Sequence, residues 1–332
     1  MNYSVLIEDY RGGILENIHM GVICGINALG DVIYSVGDEK LMTFLRSAAK
    51  PFQAIPVIQN GVVEKFGLTP KEAALFAASQ RGEDYHIEAL ESILHKTGIE
   101  EDQYFCSPSY PLNEEPKAEY HRKQGEKRKL YHNCSGKHSG FLALSKLLGY
   151  ETDRCWELGH PVQQLSLAAM AEMANYPKEE IGIGIDGCGF PVYAMPLQNI
   201  AQAYLKLACP DLIQNVQMRK AASKIAGYMN AHPKMIASHD FICSVLLTDP
   251  NIVAKGGAKG VYGFALKKER LSFALKVLDG SELVWPNIIA SILEQIGYEN
   301  GETIERLYAL SPKEIENDND AVVGARKIVF EL

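Results

Sequence analysis

The chain has 332 residues, of which 47% are hydrophobic and 22% charged, with 28 glycines and a formal net charge of −8. That is the composition of a globular protein long enough to bury a large core, and the acidic balance leaves no electrostatic footprint for nucleic acid. No run of about 18–20 apolar residues is present to span a membrane, and the N-terminus lacks the basic-then-apolar pattern of a secretion signal. Seven scattered cysteines, an odd number, argue against a disulfide framework and point to a reducing cytoplasm.

In chain order, "YSVLIEDY", "HMGVICGI" and "DVIYSVG" read as short β-branched strands, with "NALGD" (27–31) turning between the last two. From about 47 to 100 the pattern becomes helical. "TPKEAALFAAS" (69–79) carries a Thr cap and Pro at the first helical position; "DYHIEALESILHKTG" (84–98) has apolar residues at helical spacing and ends at Gly98. Residues 100–135 read as loop, including the basic cluster "HRKQGEKRK" (121–129). Helices are predicted at about 138–148, 160–176, 197–230 and 238–247, and "EEIGIGIDGCGFPVYAMP" (179–196) as a buried strand with a Gly-rich turn. "NIVAKGGAKGVYGFAL" (251–266) and "LSFALKVLDG" (271–280) read as two strands joined by "KKER"; a helix at about 284–297 and the strand "AVVGARKIVFEL" close the chain. This order predicts an α+β fold in one domain, 1–332. A mostly antiparallel sheet would come from about 1–46 and 251–332, with a helical region over about 47–250.

"RSAAKPFQAIP" (46–56) places Ser47 and Lys50 three apart, on one face if helical. A helix start offers free N–H groups for an oxyanion, and a neutral lysine amine takes a serine proton in Ser–Lys hydrolases. The same residues fit a capping serine followed by a surface lysine. "AKGGAKG" puts Lys255 near a strand end, where a second cation would depress the pKa of Lys50, and Lys259 competes for the same role. "AASQRGED" puts Ser79 at a helix end, either as a terminus residue or as a proton relay. "HNCSGKHSG" and "DGCGFP" hold Cys134, Lys137, His138, Asp186 and Cys188 among glycines, types that bind metals or react, without C-x-x-C or H-x-x-x-H spacing.

Six blocks in order, "RGGILENIHMG", "RSAAKPFQAIP", "FAASQRGED", "HNCSGKHSG", "GIDGCGFPVYAMPL" and "AKGGAKGVYG", resemble the L-asparaginases of the rhizobial, or asparaginase II, type. That family is similar in fold to serine β-lactamases and penicillin-binding proteins. The resemblance implies Ser47 as nucleophile, Lys50 as its base, and Ser79 with Lys255 as a second Ser–Lys pair. It implies a zinc ion on Cys134, Lys137 and Cys188. Asp186, Arg46 and His138 become candidates for binding the small-molecule substrate, L-asparagine, and a homodimer is expected. Gln80 and Arg81 depart from the family pattern, which has a histidine and a small residue there; Met20 stands where a basic residue is common. The rival expectations are another Ser–Lys hydrolase (a glutaminase or β-lactamase-like enzyme), zinc-activated hydrolysis, and a non-catalytic amino-acid-binding protein.

Overall fold

A computed structural model describes residues 2–332. The strands at the two ends of the chain come together in one sheet. β1 (Ser4–Arg11), β2 (Ile14–Ile26) and β3 (Val32–Val36) join β7 (Ile252–Gly257), β8 (Val261–Leu266), β9 (Leu271–Val277), β10 (Glu314–Glu316) and β11 (Val322–Ile328). The order is β10-β11-β1-β2-β9-β8-β7, with β3 also on β2, and each of these pairings is antiparallel. Helices fill the chain between. The expected α+β class, terminal strands around a helical middle, is what the chain forms.

Strands β7 and β8 are buried at every position, Lys255 included, so they lack the alternation of a strand with one face in solvent. The helix Leu197–Ala208 covers them and packs also on β9 and β2. The predicted single strand 251–266 is in fact this hairpin. Its turn is short, with Lys259 (φ 66°) and Gly260 (φ 80°) both left-handed, so that the glycines belong to the chain reversal.

A second, three-stranded sheet was not foreseen. β4 (Met42–Phe44) pairs with β6 (Pro191–Pro196), which pairs with β5 (Gly182–Ile185). The "DGCGF" turn of 186–190 thus sits at the tip of a β5–β6 hairpin, and β4 leaves the main sheet for it.

Thr69 caps its helix as predicted, in a reciprocal box with Glu72, and Gly98 ends the helix Asp84–Thr97 at φ 61°. Two helices escaped the pattern. Glu114–Arg122 has no buried residue and so no apolar stripe to betray it. Gly301–Leu310 buries only Thr303 and Leu307. The predicted helix 197–230 is two, Leu197–Ala208 and Val216–Ala231, parted at Pro210. All seven cysteines are buried and free. Among the described residues no helix is long and apolar enough to cross a membrane.

Candidate active site

The first strand of the small sheet delivers Ser47. After β4 the chain enters a 3-10 turn, Arg46–Ala49, that runs into the helix Lys50–Gln59. Arg46 holds φ 50°, a left-handed conformation that costs a non-glycine residue about 1–3 kcal/mol. Its neighbours hold it there: Arg46 Nε and Nη2 reach Asp186 Oδ1 at 2.8 and 2.7 Å, and the Leu45 N–H donates to the Tyr193 carbonyl of β6 at 2.9 Å. The capping alternative for Ser47 does not survive. Leu45 and Ala49 occupy the cap positions of the turn and helix, and neither end has a side-chain cap. Ser47 is instead a half-buried residue on a cavity wall.

Lys50, 1% exposed, points away from solvent to three oxygens. Its Nζ donates to the Ala78 carbonyl (2.7 Å), Ser79 Oγ (2.9 Å) and the Asn133 carbonyl (3.0 Å). Three acceptors match the three protons of an ammonium. Lys255, also 1% exposed, arrives from β7, and its Nζ donates to the same Ser79 Oγ at 3.0 Å and to the Gly256 carbonyl at 2.7 Å. One hydroxyl therefore lies between two buried amines. Burial pushes Lys255 down to about 8; Cys243 opposes the shift and Lys50 adds to it. The depression expected at Lys50 is found at Lys255, and burial rather than the neighbouring lysine is its main cause. Lys259 lies exposed in the turn of the hairpin, so Lys255 is the strand lysine.

The Ser47 turn and the Lys255 strand are fastened together. Tyr204 Oη bridges the carbonyls of Ala48 (2.8 Å) and Lys255 (3.2 Å). Gly257 closes against the turn so tightly that a Cβ there would stand 2.2 Å from the Leu45 oxygen and 3.0 Å from the Ala48 nitrogen. Gly257→Ala must therefore push β7 off the Ser47 turn. We expect it to lower stability by about 1–3 kcal/mol in urea titration and to depress activity beyond what the unfolded fraction explains.

Ser47, Ser79 and Lys255 line a small open cavity with Arg81, Asn133, Glu282 and Trp285. A larger cleft of about 770 Å³ lies beside it, between Tyr85, Tyr120 and Tyr131, and contains neither candidate serine nor either lysine. Arg46, Asp186 and His138 are not on the wall of the cavity that Ser47 and Ser79 line. Arg46 and Asp186 pair with each other, and His138 is buried between Phe190 (ring centroids 4.1 Å apart) and Tyr104 (6.0 Å). Burial holds the His138 imidazole well below its usual value, and its Nε2 has no partner among the described residues. Arg81, noticed in the sequence only as a departure, faces the chemistry. Glu282, in "DGSELVW" after β9, carried no signal at all.

Gln80, the other departure, lies out of the cavity and is fully buried. Its Nε2 holds the Leu130 (2.8 Å) and His132 (2.9 Å) carbonyls and Ser135 Oγ (3.2 Å), while its Oε1 accepts from the Gly82 N–H (2.6 Å). It staples the Ser79–Gly82 turn to the Asn133 loop. Gln80→Leu leaves those groups buried and unpaired, and denaturant titration should show a loss of about 2–4 kcal/mol.

Cys134, Lys137 and Cys188 do come together, each no more than 4% exposed. Cys134 sits at the start of the helix Ser135–Leu148 and Cys188 at the tip of the β5–β6 hairpin. A hydrogen bond from the Cys188 thiol holds Cys134 well below the usual thiol range against the cost of burial, with Lys50 and Lys137 assisting. Lys137 Nζ lies 3.2 Å from Cys188 Sγ. Burial pulls the Lys137 amine down, but the two thiols and Asp186 outweigh it and raise it. Among the described residues no three of His, Cys, Asp and Glu cluster as a metal site. The third donor here is a lysine. Two sulfurs and an amine, once deprotonated, are a donor set that fits zinc with a fourth position open.

Antiparallel sheet, helical insert and a cavity of hydroxyls and buried amines define the class as an amidohydrolase, given the family whose sequence model matches residues 7–328, L-asparaginase II. The chain belongs to the L-asparaginase II family. A comparison with curated proteins found no match. Among solved structures, it is similar to a putative β-lactamase from Bacteroides dorei, at 12% identity and TM-score 0.45, covering 82% of this chain and 93% of that one. It is also similar to a β-lactamase from Mycobacterium bovis (14%, 0.39, covering 83% and 94%). A third, EstCE1, a hydrolase with promiscuous acyltransferase activity, aligns at 11% and 0.41 over 87% and 93%.

Proposed function

We propose that the protein hydrolyses the side-chain amide of L-asparagine to L-aspartate and ammonia through an acyl-enzyme on Ser47. The observation that carries this reading is the pair of buried lysines converging on Ser79 in the cavity that Ser47 lines, in a chain of this family. Ser47 Oγ adds to the carboxamide carbon, and its proton passes into the Ser79–lysine network. Lys50 was the expected base. With three acceptors around Lys50, the amine better suited to take the proton is Lys255, depressed to about 8, through Ser79. The C–N bond then breaks as Ser79 hands a proton to the departing ammonia. Water adds to the ester carbon, aspartate leaves, and Ser47 regains its proton. The N–H groups of Ser47 and Ala258, both residues of the cavity lining, would hold the oxyanion, and one such donor is worth about 2.7–4 kcal/mol.

Cys134, Lys137 and Cys188 would hold zinc, which supplies Lewis acidity and electrostatic orientation when bound. Their contribution to the serine chemistry is positional: Asn133, next to Cys134, fixes Lys50 through its carbonyl.

A second reading makes Ser79 the nucleophile, because both amines touch its Oγ and it lines the same cavity. Ammonia release from asparagine and glutamine, with a β-lactam as control, tests the activity. Preference for glutamine, or β-lactam hydrolysis alone, would replace asparagine as the substrate. An asparagine-dependent rise in Tm without ammonia would make the protein a binder.

A further inference from the structure

A free amino acid carries a carboxylate and an ammonium on one carbon, so its recognition needs a cation and an anion facing one cavity. Arg46 and Asp186 do not supply them. Both Arg46 contacts fall on Asp186 Oδ1, which also accepts from the Gly187 N–H at 2.8 Å, so each neutralises the other. The pair locks the β5–β6 tip to the Ser47 turn.

Arg81 has the opposite arrangement. Its carbonyl accepts from the Leu112 and Asn113 N–H groups (2.9 and 3.2 Å), and its Nε donates to Asn113 Oδ1. Asn113 is itself fixed by donating from Nδ2 to Glu83 Oε1 at 2.7 Å. The guanidinium carbon lies 4.8 Å from the centre of the Phe241 ring. The side chain is thus held at its backbone, at Nε and over one face, while among the described residues no carboxylate pairs with it. Arg81 lines the cavity, and a guanidinium fixed in that way presents two parallel donors to a carboxylate. Glu282 stands on the same cavity wall, within the fields of Lys255, Arg81 and Arg46, and accepts from the Lys259 backbone N–H. No cation among the described residues forms an ion pair with it.

Resting on the asparaginase reading above, we propose that Arg81 and Glu282 form the clamp for a free α-amino acid, Arg81 taking the α-carboxylate and Glu282 the α-ammonium. The clamp sets the substrate class. A residue within a peptide has neither charge and leaves both groups of the clamp unpaired, so free asparagine is accepted and the asparagine side chain of a protein is not.

The test uses two trimmed substrates: the α-amide of L-asparagine, which lacks the carboxylate, and succinamate, which lacks the amino group. The wild-type kcat/KM should favour asparagine over each by about 100-fold or more, since a site built for a polar group rejects its absence strongly. Arg81→Met, which keeps the packing on Phe241, should collapse the preference over the α-amide at least tenfold and leave that over succinamate. Glu282→Gln should do the reverse, and Arg81→Lys should restore part of the lost preference. Both preferences falling together in each variant, or neither falling, overturns the clamp while turnover of asparagine keeps the asparaginase reading. Calorimetric binding of asparagine and the two analogues to the Ser47→Ala protein reads the clamp without turnover. The crossed pattern there, with a wild type that releases no ammonia, would keep the clamp and overturn the activity.

Discussion

Ser47→Ala should lower asparagine turnover by about 10⁴- to 10⁶-fold, measured as ammonia release at saturating substrate, because on the proposed acyl-enzyme route it removes the atom that forms the covalent bond. Ser79→Ala should cost about 10²–10⁴-fold, the range of a displaced proton-transfer group. The difference follows from where the two hydroxyls sit. Ser79 Oγ is held by two buried amines, the geometry of a relay between them. Ser47 stands on the cavity wall, in the turn that β7 closes against at Gly257. Acid quenching with a slow substrate, followed by peptide mass analysis, should place the acyl group on the peptide containing Ser47. A larger loss in Ser79→Ala, with the adduct on Ser79, would exchange the two roles. Full activity in Ser47→Ala would end the Ser47 acyl-enzyme reading.

The residues that meet in and behind the cavity stood out in the sequence because each lies in a short block whose spacing has a local meaning. Ser47 and Lys50 are one helical turn apart, Ser79 ends an apolar helix, and Lys255 precedes a pair of glycines. Their convergence was not local. Lys50 meets Ser79 only because the Ala78 and Asn133 carbonyls complete its coordination, and those come from two other segments. For the same reason Arg46 and Asp186 looked like two free charges. They are 140 residues apart, and only the β4-β6-β5 sheet brings them together to cancel. Glu282 follows β9 in an ordinary surface turn and gains meaning only from the cavity it borders. In the fold, the hairpin 251–266 hid its turn because β7 and β8 are buried at every position, so no alternation of buried and exposed residues marks where one strand ends and the next begins. The helix Glu114–Arg122 hid for the opposite reason, having no apolar face.

The pH dependence of the reaction should carry the signature of Lys255. As the amine that takes the proton it must be neutral, and burial has brought it from the usual lysine range to about 8. The logarithm of kcat/KM should therefore climb with unit slope below pH 8 and level off above it. At pH 7 only about a tenth of the molecules hold the neutral amine. Lys255→Met should remove that limb and lower the rate by about 10²–10⁴-fold. Lys255→Arg separates a base from a fixed charge: the guanidinium keeps the cation but cannot release its proton, so activity should stay lost. Stability gives an independent reading with a definite sign. A lysine whose folded pKa lies below its unfolded one is a burden wherever it is charged in the folded state. The penalty is complete below pH 8 and disappears as pH rises toward the unfolded value near 10.5. Wild type should gain about 3 kcal/mol on Lys255→Met between those limits in denaturant titrations. A limb that persists near pH 8 in Lys255→Met would move the base to Lys50 and leave Lys255 as an electrostatic support for Ser79.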